Sequence, residues 1–549
     1  MTPRRPGISA GLFLLLCIAA AVTSCERSTD PWPRYERGMT VLHGNLSLNS
    51  QEQVADARWL REVDGNVWIG GDVRDLEPLH ALERIGGTLS IRSDRLKTLH
   101  GLEALREVGD WFYLDSCDSL MDFSALAGLD SVARLEVNDC DRLPGLHAIP
   151  FLSTVRELNI RQMPQFDRVP GVDALVAVER LRINSLHGLE SLAGLAGLPR
   201  LSFCQITGCP ELLGLAGLDG APALTELSIE DCDGLRTLTG LGTLPALEDF
   251  YCSSNDSLTD LAGIVAMPGL DRLTIRQNQS LTCLAGLPAL PSLTRLVIHD
   301  CPRIESLAGL AGFPSLASID ISGCHLPTSL DDLGDLPSLR TLSLEDLRSL
   351  HDLSGLANLP SLTGFYITSC PAVTDLLSLP EMPAVSRLEL GGLDNLTSLA
   401  GLSTLLPLDD LSIWGCTKVV DLQGLPPVAA RGGLRISSNT SLASLTGLVL
   451  EGDRLYSLRI RDNDALGSLD GLEPVTRIEC GLEIADNDAL TDISALANID
   501  SVGSADCWGT FSIRNNPQLD SCAVRDWVDA ITYLGFAGVT VSGNGPCAR

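Results

Sequence analysis

Seventeen cysteines, eight histidines and a surplus of carboxylates are the groups in this 549-residue chain that could do chemistry. A zinc centre wants closely spaced thiol and imidazole ligands. No C-x2-C occurs, and the histidines are scattered, with His100, His147 and His187 in turn-like segments. The mature body holds no nucleophile elbow, no phosphate-cradling Gly-rich loop with Lys, and no H-E-x-x-H. Neighbouring carboxylates such as Asp331 and Asp332 read as solvated loop charges, because acid–base catalysis needs convergent groups of separated pKa. Neither a metal nor a cofactor is expected. A net charge of −31 disfavours nucleic acid as a partner, since phosphate binding needs a basic face. What remains is chemistry of recognition, and of attachment at the N-terminus.

Arg4 and Arg5 precede an apolar run from Ile8 to Val22, too short to span a bilayer comfortably. Val22-Thr23-Ser24-Cys25 follows and resembles the lipobox of bacterial lipoproteins. The resemblance implies a signal peptide over 1–24 and lipid on Cys25. Residues 25–43, polar with Pro31 and Pro33, then read as a tether. The expectation is an exported protein of a bacterial cell envelope, held at the outer membrane or cell surface, touching membrane only through that lipid.

The remaining residues repeat. In Leu224-x-x-Leu227-x-Ile229-x-x-Cys232 the last position is a slot that recurs every 23 residues from Cys117 to Asn439. Cys, Asn, Leu or Met fills it. Residues five and three before each slot are apolar, as at Leu158/Ile160, Leu296/Ile298 and Leu434/Ile436. That alternation is the signature of a short strand with one buried face. The same rule fits three units upstream, from Leu46/Leu48, and four downstream, to Val539/Val541. About 22 rungs result. Pro after the return-side Leu, as in Pro222, Pro245 and Pro337, blocks a long helix.

The frame L-x-x-L-x-[LI]-x-x-[NC] resembles the leucine-rich-repeat superfamily. The regular block looks internalin-like. The ends, with Leu82–Ile91 and Ile513-Arg514-Asn515-Asn516-Pro517, look like receptor L-domains. The resemblance implies an α/β solenoid, a horseshoe of short parallel strands with a turn or 3-10 convex side. It covers 44–517, with a cap over 518–549 made of a helix and the last strand. Met163, Leu186, Leu347 and Leu393 occupy slots without hydrogen-bonding capacity and mark softer rungs. Slot cysteines read as free buried thiols, because stacked Cβ vectors run parallel and a disulfide wants its Cβ atoms about 3.8 Å apart. Cys522 and Cys547 bracket the cap, a unit that often ends receptor-L-like bacterial proteins, and read as a disulfide. Cys480 and Cys507 precede adjacent late strands and form a second candidate pair.

Residues four, two and one before each slot face out of the concave sheet or along its rim. There lie Trp68, Tyr113, Tyr251, Tyr366 and Trp414, with Arg161 and Arg276 among several arginines. These are the ligand-binding candidates, because exposed aromatic and Arg side chains concentrate at interfaces. Tyr251 and Tyr366 fall five rungs apart and Trp414 two rungs further, which predicts separate contacts about 24 Å apart. No compact pocket is expected. The reading favoured is a non-catalytic module binding a protein or glycan in its concave face. The alternatives are a structural or adhesive envelope component without a defined ligand and, least favoured, an enzyme.

Overall fold

The computed structural model describes residues 39–547 apart from 144–153, 165–176, 196–197, 219–220, 285, 308–309, 311–312, 326–327, 357–358, 505–508 and 534–537. The predicted signal peptide and Cys25 lie outside the described residues.

Alternation sets the sheet. Each repeat lays down one short strand whose residues five and three before the slot point inward and whose intervening residue points out. Twenty-two such strands follow one another in chain order, every neighbouring pair parallel. From the strand Glu157–Arg161 to the strand Arg387–Gly391 the register never slips: Leu181 faces Cys204, which faces Leu227, which faces Phe250. One continuous column of buried Leu, Ile, Val, Phe and Cys runs the length of the molecule. The convex side returns through turns and isolated 3-10 segments such as Ser124–Leu126 and Ser354–Leu356.

The slot residue explains how the turn leaving each strand is held. Asn255, Asn278, Asn439, Asn463, Asn487 and Asn516 are all fully or almost fully buried. Each points its Oδ1 back to a backbone N–H of the preceding rung, as Asn255 Oδ1 accepts from Cys232 N at 3.0 Å. Its Nδ2 donates to the strand behind, as Asn255 Nδ2 does to Ile229 O at 3.1 Å. Buried backbone groups without a sheet partner would otherwise stay unpaired. Cysteine performs both roles more weakly. Cys416 Sγ donates to Leu390 O at 3.7 Å and accepts from the Leu393 backbone N–H. Asn255, Asn278 and Asn439 each begin an N-x-S string of the kind that accepts glycans, but their side chains are spent inside the core.

From the slot at Cys117 onward, the position just before each slot has a left-handed backbone, from Ser116 at φ 52° through Asp231 at 55° and Gln277 at 54° to Asn515 at 56°. Apolar alternation carries no sign of this column, because Ser, Asp, Gln and Gly all fill it. The left-handed residue reverses the chain so that the slot side chain can enter the core.

The two ends differ from the middle. There a second row of short parallel strands precedes the first, joined to it by a corner: Val41–Leu42, Glu62–Val63, Arg84–Ile85 and the start of Glu107–Asp115 pair in sequence. A Cβ on Gly86 would sit 2.4 Å from Asp64 O, so only glycine lets adjacent corners stack. The Val41–Leu42 strand corrects the expected tether boundary at residue 43. The chain is already paired into the sheet at 41.

A short N-terminal helix, α1 (Gln51–Asp56), has a capping box between Ser50 and Gln53. The last rung is closed by α2 (Ser521–Ala530), whose Val524 and Val528 bury against the core, and by the edge strand Thr540–Ser542. Cys522 and Cys547 are disulfide-bonded, with Cα atoms 5.1 Å apart. Cys480 is disulfide-bonded too, while its predicted partner Cys507 lies outside the described residues. The slot cysteines are free and buried, as are Cys204 and Cys252. No helix among the described residues is long and apolar enough to cross a membrane.

Candidate concave-face site

The chain has the leucine-rich-repeat fold, and its concave sheet carries the side chains that repetition leaves free to vary. On the first rungs, Trp68 is 40% exposed beside Ser47 and Ser90. One rung beyond Ser90, Tyr113 stacks on Trp111 with ring centroids 4.9 Å apart. The Arg134 guanidinium lies over the Trp111 ring, 5.4 Å from its centroid. Burial, then the Glu136 charge, pushes the Tyr113 hydroxyl up to about 12, so it stays a neutral hydrogen-bonding group. Trp111 is two residues before Tyr113, and both face out across a bulge in the Glu107–Asp115 strand. The uniform slot frame could not show that bulge, and Trp111 was missed.

The middle of the face is an ion-pair lattice. Arg161 lies 3.6 Å from Glu136, and Arg182 pairs with Glu157. Phe203 is covered by Arg180 and Arg182, at 4.1 and 5.0 Å from the ring centroid. These arginines hold the surface together by pairing within it. Arg161 is thus engaged by the protein itself. Tyr251 stands alone between Ser228 and Thr274. Arg276, between Ser253 and His299, has a buried Nε with no hydrogen-bond partner. His299 Nε2 lies 3.2 Å from the Asp320 carboxylate, off the direction of a good hydrogen bond. That imidazole is the first cause holding the Asp320 carboxyl below its usual range, against the opposing effect of burial.

The last third departs from the expectation of separate contacts. Tyr366 does not stand apart there. It borders a hollow of about 500 Å³ that continues toward the C-terminal cap. Its floor is small: Gly433, Ser457, Gly481, Gly509 and Thr510. Glu389, Ser412, Arg435 and Arg459 stand along it at successive outward positions. Tyr456, 52% exposed, borders it as well. Trp414 lies flat over Gly391, where a Cβ would meet its ring at 2.2 Å, and its Nε1–H donates to Glu389 at 2.6 Å. Trp414 is therefore a prop for Glu389 more than a projecting anchor. Tyr456 escaped the sequence reading because it precedes the strand's regular positions, beside a second bulge between Leu455 and Ser457.

The cysteines have no reactive setting. Burial pushes the Cys204, Cys252 and Cys416 thiols up to about 12, where the nucleophilic thiolate is absent at neutral pH. On the rim, the Asp118, Asp139 and Asp141 carboxylates converge within 4.8 Å of one another. Burial, then its two neighbours, raises the Asp118 carboxyl above its ordinary range. This grouping was not foreseen, since the 23-residue repeat hides it across two rungs.

No protein-family profile and no curated relative matches the chain. Among solved structures it is similar to an internalin of Listeria monocytogenes at 17% identity and TM-score 0.32, over 58% of this chain and 88% of that one. Toll in the Drosophila Toll–Spatzle complex matches at 14% identity and TM-score 0.45, over 94% and 87%. A leucine-rich-repeat protein of Leptospira interrogans matches at 14% identity and TM-score 0.33, over 72% and 93%.

Proposed function

We propose that this protein is a non-catalytic lipoprotein of the bacterial envelope, tethered through Cys25, that binds a protein or glycan on its concave face. The observation that carries the reading is the concave sheet between Tyr366 and Thr510, where Tyr366, Tyr456 and Arg435 border a hollow of about 500 Å³ floored by small residues. A surface needed only for solubility has no use for an unfilled recess bordered by tyrosines. Among the described residues no convergent nucleophile and base accompanies it, and every free thiol but that of Cys283 is buried. The net charge of −31 argues against nucleic acid as the ligand. A structural envelope role without a ligand remains the second reading, and the ion-pair lattice around Arg182 is the feature that favours it.

The test is capture of a partner from envelope extracts by the mature chain, compared with Tyr251→Ala, Tyr366→Ala and Trp414→Ala. Tyr251→Ala and Tyr366→Ala are each expected to weaken binding by roughly 1–3 kcal/mol with melting unchanged, because those side chains face outward, whereas Trp414→Ala acts through Glu389, which loses its indole donor. Full affinity in all three variants would move the partner to the convex face or the rims.

A further inference from the structure

The arginines bordering the hollow differ in one respect. Arg387 is matched by Asp410 at 3.6 Å, and Arg459 by Glu483 at 3.0 Å. Arg461 and Arg514 share Asp486. Arg435 alone in this group has no hydrogen bond or ion pair from its guanidinium among the described residues. It is nonetheless in direct register with Arg459 on the next rung. Adjacent strands lie about 4.8 Å apart, and like charges directly opposite one another repel. None of the carboxylates nearby makes an ion pair with Arg435: Glu389 is held by Trp414, Asp410 by Arg387 and the Gly433 N–H, Glu483 by Arg459 and Arg514.

Across the register on the other side of Arg435, Ser412 turns its hydroxyl away from solvent and adds no charge. An exposed guanidinium without a partner among the described residues, set beside a second guanidinium, matches a group that is anionic and accepts hydrogen bonds. A planar guanidinium is shaped for a carboxylate. The surroundings say what carries that carboxylate. The floor of glycine, serine and threonine admits a flat, hydroxylated body. Tyr366 and Tyr456 supply ring faces at the border. The volume, about 500 Å³, is within the range of small-molecule sites.

We infer that the hollow binds a carboxylated sugar unit of an acidic glycan, with Arg435 on the carboxylate. This rests on the proposal that the concave face is a binding surface and gives that face a ligand class. The bound anion would also relieve the Arg435–Arg459 contact.

The test titrates the mature chain with oligosaccharides bearing uronic or sialic acid units, and with the same oligosaccharides after their carboxyl groups are reduced to alcohols. Trp414, hydrogen-bonded to Glu389, provides a fluorescence signal at the site, and calorimetry confirms it. At least one acidic oligosaccharide is expected to bind tenfold or more tightly than its reduced form. Arg435→Ala should remove that preference, and Arg435→Lys should keep part of it. Gly481→Leu should abolish binding of both forms by filling the floor, where an added Cβ meets nothing closer than 3.4 Å. Equal affinity for acidic and reduced forms, unchanged by Arg435→Ala, would overturn the inference while leaving a glycan-binding concave face. No binding of any oligosaccharide would overturn it too. The proposed function would then still be decided separately by protein capture with the Tyr251 and Tyr366 variants.

Discussion

Asn463 tests the account of what holds the rungs together. It is completely buried, and its side chain serves two neighbouring rungs. Oδ1 accepts from Asn439 N at 3.1 Å and from Asn439 Nδ2 at 3.2 Å. Nδ2 donates to Ile436 O and to Arg461 O, each at 3.0 Å. Asn463→Ala strands the Asn439 N–H and removes a donor from two buried carbonyls. One buried unsatisfied group costs about 1–3 kcal/mol, and carbonyls tolerate the loss better than N–H groups. The expected destabilisation is therefore about 3–5 kcal/mol, centred on the rungs at 439 and 463, because a solenoid loses stability between nearest neighbours. Asn463→Cys should cost less than half as much, since Cys416 shows a thiol filling both roles at the same position. The assay is urea unfolding by circular dichroism with hydrogen exchange at the Asn439 amide. An alanine variant within 1 kcal/mol of the parent, unaltered protection of that amide, or a cysteine variant no better than alanine would each refute the reasoning.

Cys25→Ser is expected to release the protein from membranes or stall its maturation, measured by fractionation and mass spectrometry, and normal maturation on membranes would remove the tether. Replacing Cys522 and Cys547 by Ser opens a 26-residue loop, worth roughly 3 kcal/mol in the chain-entropy model. Limited proteolysis should then begin at the α2 cap while the regular block stays intact. Asp320 carries a pH prediction. Its folded pKa is depressed, chiefly by His299, so its stabilisation is present above the unfolded value of about 3.9 and is lost as pH falls through the lower folded value. The side chain is 32% exposed, which limits the effect to under about 1 kcal/mol. Melting followed from pH 5 to pH 2 should show a shallower acid limb in Asp320→Asn than in the parent.

The rungs were legible because burial imposes a period on sequence. Leu227 and Ile229 must be apolar at two-residue spacing, and a slot every 23 residues keeps each strand over the next. The sites of departure were illegible for the same reason. Nothing in a hydrophobic period reports φ, so the left-handed column at Ser116, Asp231 and Gln277 left no trace. A bulge shifts an outward position by one residue while the buried pair stays in place. Trp111 and Tyr456 both sit beside such bulges, outside the positions a fixed frame inspects. The hollow itself is made of residues whose side chains are small or absent. Gly433 and Gly481 resemble turn glycines in the sequence, and only the pairing of their strands through Ser457 shows them in one row, two positions along the strands from the row of Arg435 and Arg459. Trp414 has the opposite history. The fixed frame found it, yet its exposure cannot be read from its position. Gly391 on the preceding rung lets the ring lie down, and Glu389 holds it there. The relief of this face thus depends on pairs of residues one rung apart. A Trp over Gly lies flat, a Tyr beside a run of small residues makes a wall, and an Arg next to another Arg is left without an ion-pair partner among the described residues.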